Sequence, residues 1–179
     1  MASLVGRMIR AAKLDVGLYE EVEADTGATG QAMLVVVLSS VAAGIGSVGG
    51  GAGLKGLLLG ALSALTAWYI WAFLTYFIGT RLLPESQTEA DVGQLLRTTG
   101  FSSSPGLLRI LGILPGLTGI VFLGCHVWML VAMVIAVRQA LDYHGTGRAI
   151  GVCLIGWVVQ VVIIALVMMF LGIGPGLRP

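Results

Sequence analysis

The sequence predicts an all-α polytopic membrane protein, a bundle of five transmembrane helices with a short third span, preceded by an interfacial amphipathic helix. Hydrophobic residues make up 57% of the 179 positions and charged residues only 11%, whereas soluble domains are about 25% charged. The mean hydropathy is +0.97. The charges lie in a few clusters between long apolar runs, and the basic residues fall mainly on one side of the predicted membrane.

Residues 1–30 are predicted to form a cytoplasmic amphipathic and acidic segment. In a helix over residues 1–13, apolar side chains from Met1 to Ala12 share one face, and the three basic side chains share the other. This pattern is typical of a helix that lies in a membrane interface. The acidic stretch LYEEVEAD follows, and we interpret it as a solvated flank that faces the basic helix. Residues 31–179 are then one five-span membrane domain.

Four apolar runs are predicted to cross the membrane as regular helices. They are residues 31–47, 56–78, 117–137 and 150–171. At 1.5 Å per residue, the second run spans roughly 30 Å of hydrocarbon. A glycine-rich turn, GGGAG, joins the first two runs. After the second run, Ser86 and Glu89 have the spacing of a capping box, which predicts a short polar helix that ends at Gly100.

The third predicted crossing is shorter than the others, because Pro105 opens a helix and Pro115-Gly116 ends it after about ten residues, or roughly 15 Å. Such a segment can either cross the membrane or turn back. If this segment crosses, seven basic residues lie on one side and two on the other. If it turns back, the division becomes six against three. The positive-inside rule therefore favours five spans in the cell (inner) membrane, with a cytoplasmic N-terminus and the C-terminus outside.

Arg109 lies inside this short apolar segment. We place it about one turn from the cytoplasmic end, where its long side chain can snorkel to the headgroups. The alternative is a contact with a ligand or a partner, because charges inside a membrane are functional by default. The snorkelling interpretation is favoured.

His126 and Gln160 are the other candidate interaction residues. Each lies twelve residues from an arginine, Arg138 or Arg148, that flanks the last loop. On antiparallel neighbours both then lie about 18 Å from the same interface, so they can meet. We favour an interhelical hydrogen bond of about 1 kcal/mol over a proton relay or solute site. Trp71, Trp128 and Trp157 are similarly predicted to form one aromatic layer.

Several motifs are set aside. GIGSVG has the letters of a dinucleotide fingerprint but lacks the preceding strand and the later acid. Cys125 and Cys153 have no metal or redox spacing. A net charge of +1 gives no basis for nucleic-acid binding. No catalytic constellation, cofactor site or metal site is predicted, and the protein is not expected to be an enzyme.

Small residues spaced four apart predict close helix packing, either within the bundle or between copies. Within the bundle is the favoured choice. The pairs are Gly56 and Gly60, Gly112 and Gly116, Gly147 and Gly151, and Ala43 and Ser47.

Two stretches resemble bacterial members of the Yip family, the Ypt/Rab-interacting membrane proteins. They are FIGTRLLPESQTEADVGQLLRTTGFSSSPGLLRILGI and VWMLVAMVIAVRQALDYHGTGRAIGVCLIGW. The resemblance covers roughly residues 31–171 and implies a five-span domain. In eukaryotes the family implies membrane trafficking, contact with small GTPases and membrane shaping. The cytosolic N-terminal region here is short for the contact with a GTPase.

Three functions follow as hypotheses. The first, which we prefer, is a non-enzymatic role in membrane organisation or as an adaptor, with the lipid bilayer and a protein partner or a second copy as its contacts. The second is an accessory subunit of a larger membrane complex. The third is a proton or small-solute channel or carrier centred on His126.

Overall fold

The computed structural model describes residues 3–47 and 53–170, and every regular element in these ranges is helical. Met1, most of the GGGAG turn and Arg178 lie outside the described residues. The α-helices are α1 Leu4–Ala12, α2 Val16–Ala24, α3 Thr29–Gly46, α4 Gly53–Phe77, α5 Val92–Phe101, α6 Thr118–Ala140 and α7 Thr146–Phe170.

Four helical stretches are long and apolar enough to cross a membrane, as expected of a membrane protein. They are Thr26–Gly46, Gly53–Leu82, Thr118–Ala140 and Thr146–Met169. Each coincides with one of the four apolar runs, within a few residues at either end. The second includes a π-helical turn, Ile78–Leu82, which continues α4.

The segment between α4 and α6 differs from the prediction. The capping box forms on Asp91 and Gln94, so α5 begins at Val92 rather than near Ser86. It continues through Gly100 to Phe101, and a ten-residue 3-10 helix, Ser104–Ile113, follows almost directly. The predicted helix that opens at Pro105 is therefore only the second half of a longer segment, whose first half is α5. At about 2.0 Å per residue, this half alone is roughly 20 Å long.

This composite segment runs parallel to α3 along most of its length. Three of its glycines pack so closely on α3 that an added Cβ would overlap the neighbouring atoms. The pairs, in the same order along both segments, are Gly100 with Ala32, Gly106 with Ser39 and Gly112 with Gly46. The 3-10 helix thus follows the second half of α3, and α5 follows the first.

The remaining helices alternate in direction. Phe122 of α6 lies beside Gly112 and Met129 beside Gly106, so α6 returns antiparallel to the 3-10 helix. The α7 helix turns back again, and its Gly156 packs on Trp71 of α4. Helices α3, α5 with the 3-10 helix, and α7 therefore point one way, and α4 and α6 point the other.

Before α3, helices α1 and α2 form an antiparallel hairpin that ion pairs hold together. Arg7 is only 6% exposed, and it bonds to Glu21 (3.0 Å), Asp25 (2.7 Å) and Gln31 (3.0 Å). Its hydrogen bond holds the pKa of Asp25 below the ordinary value. Arg10 bonds to Glu21 as well, at 2.5 Å. The acidic stretch is thus a folded helix that faces the basic one, and three of its apolar residues are buried.

The hairpin docks on α5 and α6 through groups that satisfy the free carbonyls at helix ends. Arg97 of α5 donates to the Val22 carbonyl (2.9 Å) and to the Glu23 carbonyl, at the end of α2. Trp128 donates to the Ala12 carbonyl, the last of α1, at 2.8 Å. Below, the end of the bundle that carries this hairpin is called the hairpin end.

The loops after α4 and α6 also lie together. The Tyr143 hydroxyl lies 3.0 Å from the Gly79 carbonyl and 2.7 Å from the Leu83 carbonyl, at the end of the π-helical turn. Arg148 forms an ion pair with Glu85 at 3.2 Å. These bonds link the start of α7 to the end of α4, which fixes the relative height of the two helices.

Glu23 of the hairpin gives a pH prediction. Burial first, and then the nearby Asp142, raise the pKa of its carboxyl from 4.5 to about 7, although Arg97 acts in the opposite direction. Because the folded-state pKa is the higher one, folding is progressively penalised as the pH rises from about 4.5 through 7. Glu23→Gln keeps an acceptor for Gln94, so its melting temperature should exceed that of the wild type at pH 8 and equal it at pH 4.

Thermal melts of the full chain in a nonionic detergent at the two pH values measure this difference. Glu89→Gln, in the exposed loop before α5, is the matched control and should show no such pH-dependent gain. A gain for Glu23→Gln of equal size at both pH values would contradict the assignment.

Candidate functional site

An open cavity of about 420 Å³ lies among α3, α4, the α5/3-10 segment, α6 and α7. Its wall is largely apolar and includes Trp68, Trp71 and Met133. The polar side chains on its wall are Ser39, Ser40, Thr99, Ser103, Arg109, His126 and Gln160. All three interaction residues that the sequence singles out therefore line one cavity.

Arg109 lies at the centre of the bundle. Its Nη2 atom is 2.8 Å from the sulfur of Met129, which is the twelfth of the 23 residues of α6. Its guanidinium carbon is 6.0 Å from the centroid of the Phe122 ring. The Nε atom is buried and has no hydrogen-bond partner among the described residues. A thioether sulfur is a weak acceptor, so this cation has poor internal compensation.

This position corrects the snorkelling interpretation. The Arg109 carbonyl lies against Gly46, the last residue of α3, so its backbone is far from the hairpin end. The sequence places the arginine one turn into the crossing because it starts that crossing at Pro105. In the structure α5 and half of the 3-10 helix precede it, and the side chain points back towards the middle.

Among the described residues no carboxylate bonds to Arg109, and the helices that line its cavity carry no acidic residue. All nine Asp and Glu residues of the chain lie within positions 15–25, 85–91 and 142. Those positions belong to the hairpin and to the two loops at the hairpin end. A single unpaired cation in a low-dielectric setting is costly, and the most direct compensation is a negative group from outside the chain.

His126 and Gln160 line the same cavity from α6 and α7. This is the proximity that equal depth on antiparallel helices predicts. No hydrogen bond links the two side chains among the described residues, so the register-fixing bond between them is not formed. His126 is exposed towards the outside of the bundle, whereas Gln160 is partly buried. A role for either residue stays a prediction.

The three tryptophans do not form one layer. Trp71 lies on the cavity wall and donates to the sulfur of Met133 at 3.2 Å. Trp128 is bonded to Ala12 of the hairpin, and Trp157 is 61% exposed. Trp68, which the sequence did not single out, takes the inner position instead and donates to the Leu96 carbonyl at 3.1 Å.

Chemically, the cavity is suited to binding an anion. It offers one cation, an imidazole, an amide and several hydroxyls, of which Ser40 bonds to the Val37 carbonyl of its own helix. Among the described residues, no group of three or more His, Cys, Asp or Glu could hold a metal ion. The cavity hydroxyls escaped prediction because single serines and threonines in apolar runs carry no pattern. The available signals are short polar runs: the pair Ser39-Ser40, the pair Thr98-Thr99 and the three serines 102–104.

Searches with protein-family models, curated proteins and solved structures find no match to this chain.

Proposed function

We propose that this chain is a non-enzymatic multi-pass membrane protein that organises the membrane around its N-terminal hairpin. One observation carries the proposal: on α1 the buried Arg7 faces the acidic helix α2, whereas Val5 and Ile9 face outwards. Arg7 is 6% exposed and paired with Glu21 and Asp25, while Val5 and Ile9 are 63% and 52% exposed. Val5 and Ile9 lie four residues apart, so they form an apolar stripe on the outer face of α1.

Contact with lipid makes the arrangement favourable. The Trp128 and Gln139 contacts with the hairpin lie eleven residues apart on α6, or about 16 Å along its axis. The hairpin thus extends along the side of the bundle, where Val5 and Ile9 can enter the boundary between headgroups and acyl chains. An amphipathic helix inserted on one face of a bilayer widens that leaflet, which is a non-enzymatic way to shape a membrane.

The proposal includes five crossings. The composite segment of α5 and the 3-10 helix follows α3 from Ala32 to Gly46, a distance of about 21 Å. If α3 crosses, this parallel neighbour crosses beside it, and the chain ends lie on opposite sides. Together with the positive-inside rule, this supports a cytoplasmic N-terminus, an outer C-terminus and residence in the cell (inner) membrane.

The resemblance to the Yip family agrees with this proposal, because that family implies a five-span domain and membrane shaping. An adaptor role is the related alternative, with a protein partner or a second copy as the contact. A solute carrier centred on His126 is a second candidate, which the open cavity at this residue favours.

The test is the double substitution Val5→Ser/Ile9→Ser in the full chain. The purified protein is reconstituted at increasing density into liposomes of phosphatidylethanolamine and phosphatidylglycerol, and vesicle diameter is measured by light scattering. The wild type should reduce the mean diameter and the serine variant should not. Because both positions are exposed, the serine variant should stay within about 0.5 kcal/mol of wild-type stability.

Val5→Leu/Ile9→Leu is the matched control and should behave as the wild type. Equal vesicle diameters for the wild type and the serine variant would refute the role in membrane shaping. Co-purification in a mild detergent, with identification of bound proteins, would then separate an adaptor from a lone bundle.

A further inference from the structure

A groove about 610 Å³ in volume lies between α4 and α7. It continues from the cavity around Arg109, because Ala67 and Gln160 line both. Beyond Gln160 the groove wall is largely aliphatic, with Ser63 and Thr66 of α4 as its hydroxyl side chains, and it is exposed to the outside of the bundle. Its apolar residues include Leu59, Leu62, Ile70, Ile163, Ile164 and Val167.

The cavity and the groove offer opposite chemistries at their two ends. At the inner end, the guanidinium of Arg109 has one hydrogen bond, to a sulfur, among the described residues. At the outer end, aliphatic side chains follow α7 from Gln160 to Val167, which is about 10 Å. A guanidinium recognises carboxylate and phosphate groups, and an aliphatic groove accepts a hydrocarbon chain by apolar burial.

We propose that the cavity and the groove together bind one anionic lipid. Its negatively charged head contacts Arg109 inside the bundle, and an acyl chain lies along the groove between α4 and α7. The His126 and Gln160 side chains lie where the head meets the chain and can bond to its oxygen atoms. The volumes of the cavity and the groove lie within the usual range for ligand sites, about 300–1,000 Å³.

The apolar surroundings of the groove favour a lipid over a protein segment as the occupant. The groove opens between exposed apolar side chains of α4 and α7, among them Leu59, Leu62 and Ile163, so what reaches it comes from the bilayer. A free inorganic anion would satisfy Arg109 and leave the groove unused. An anionic lipid uses both features at once, and the membrane supplies it at high local concentration.

The first experiment measures thermal stability of the full chain in a nonionic detergent. Saturating phosphatidylglycerol should raise the melting temperature of the wild type by about 5 °C or more, and phosphatidylcholine by less than about 1 °C. Arg109→Gln should abolish the response to phosphatidylglycerol. Arg81→Gln, at an exposed arginine in the π-helical turn that continues α4, is the matched control and should respond fully.

A response of Arg109→Gln equal to that of the wild type would overturn the proposal, because the lipid would then act on surface charges only. Inorganic phosphate is the second ligand and should produce a much smaller shift than phosphatidylglycerol, because it leaves the groove unused. If phosphate alone reproduced the full shift, the acyl chain would contribute nothing, and the proposed lipid site would be wrong.

A second pair of variants tests the groove and keeps Arg109, so the result does not depend on how Arg109→Gln folds. Ile164→Trp places a bulky side chain in the groove, four residues and one helical turn from Gln160. It should weaken the binding of phosphatidylglycerol about tenfold or more, as read from the lipid concentration at half-maximal shift.

Leu166→Trp is the matched control, because Leu166 lies outside the groove and its exposed fraction, 47%, is close to the 49% of Ile164. Its affinity should stay within about twofold of the wild type. Equal affinities for the two tryptophan variants would exclude the groove as the site of the acyl chain. Vesicle shape plays no part in these readouts, so they stand apart from the function proposed above.

Discussion

Gly46→Ala is expected to destabilise the bundle by about 3 kcal/mol, at the upper end of what over-packing costs in a close-packed interior. An added Cβ at this position would overlap the carbonyl oxygen and carbon of Arg109. Both belong to the backbone of the 3-10 helix, so no side-chain rotation relieves the clash. The 3-10 helix must move away from α3, which also widens the cavity around Arg109.

Unfolding of the full chain with increasing sodium dodecyl sulfate in mixed micelles measures the change. Gly60→Ala in α4 is the matched control, because no atom lies within 4 Å of a Cβ added there. Since alanine is favoured over glycine in a helix by about 1 kcal/mol, this control should be neutral or slightly stabilised. Equal stability of the two alanine variants would show that the contact of α3 with the 3-10 helix is looser than described.

Arg109→Met is expected to stabilise the empty protein by about 2.5 to 3.5 kcal/mol, which is what a central arginine costs in a transmembrane helix. Most substitutions destabilise a protein, by about 1 kcal/mol on average. A gain in stability for Arg109→Met would therefore indicate that the guanidinium itself destabilises the empty protein. Methionine keeps an unbranched apolar chain beside Met129 and Phe122 and removes the guanidinium, whose Nε has no partner among the described residues.

The measurement is thermal unfolding in a nonionic detergent free of anionic lipid and of dodecyl sulfate, whose charged head and hydrocarbon chain could occupy the same site. Arg81→Met is the control and should change stability by no more than about 0.5 kcal/mol, because Arg81 is exposed. Destabilisation by Arg109→Met would mean that the guanidinium contributes contacts that outweigh its desolvation. Addition of phosphatidylglycerol should reduce the advantage of the variant, since only the wild type gains from the lipid.

The four long helices could be predicted because a run of about 20 apolar residues has few alternatives to a membrane-spanning helix. The third segment could not, for two reasons of local chemistry. Ser86-Glu89 and Asp91-Gln94 both have capping-box spacing, and the sequence does not say which one forms. Pro105 is as acceptable in the first turn of a continuing 3-10 helix as at the start of a new α-helix.

The contrast between regular long helices and the third segment also explains which parts of the candidate site could be predicted. His126 and Gln160 line one cavity as predicted, because both lie on regular helices, whose rise converts residue number into depth. Arg109 lies further from the hairpin end than predicted, because α5 and the first half of the 3-10 helix precede it along α3. Close packing was predicted correctly at Gly112, which lies against Gly46, but Gly60, Gly116 and Gly147 have open space. The other tight approaches in this segment involve Gly100 and Gly106, which the sequence did not single out.

The 3-10 winding of Ser104–Ile113 also sets the direction in which the cation points. Runs of this winding beyond about four residues are uncommon, and a 3-10 helix advances about 120° per residue where an α-helix advances about 100°. Conversion of the five steps from Ser104 to Arg109 to α-helix would rotate the guanidinium by about 100° around the segment axis. It would also shorten the segment. Such a conversion would also rotate Gly106 and Gly112 away from α3, so the close packing of these glycines holds the 3-10 winding and keeps the positive charge turned towards the interior.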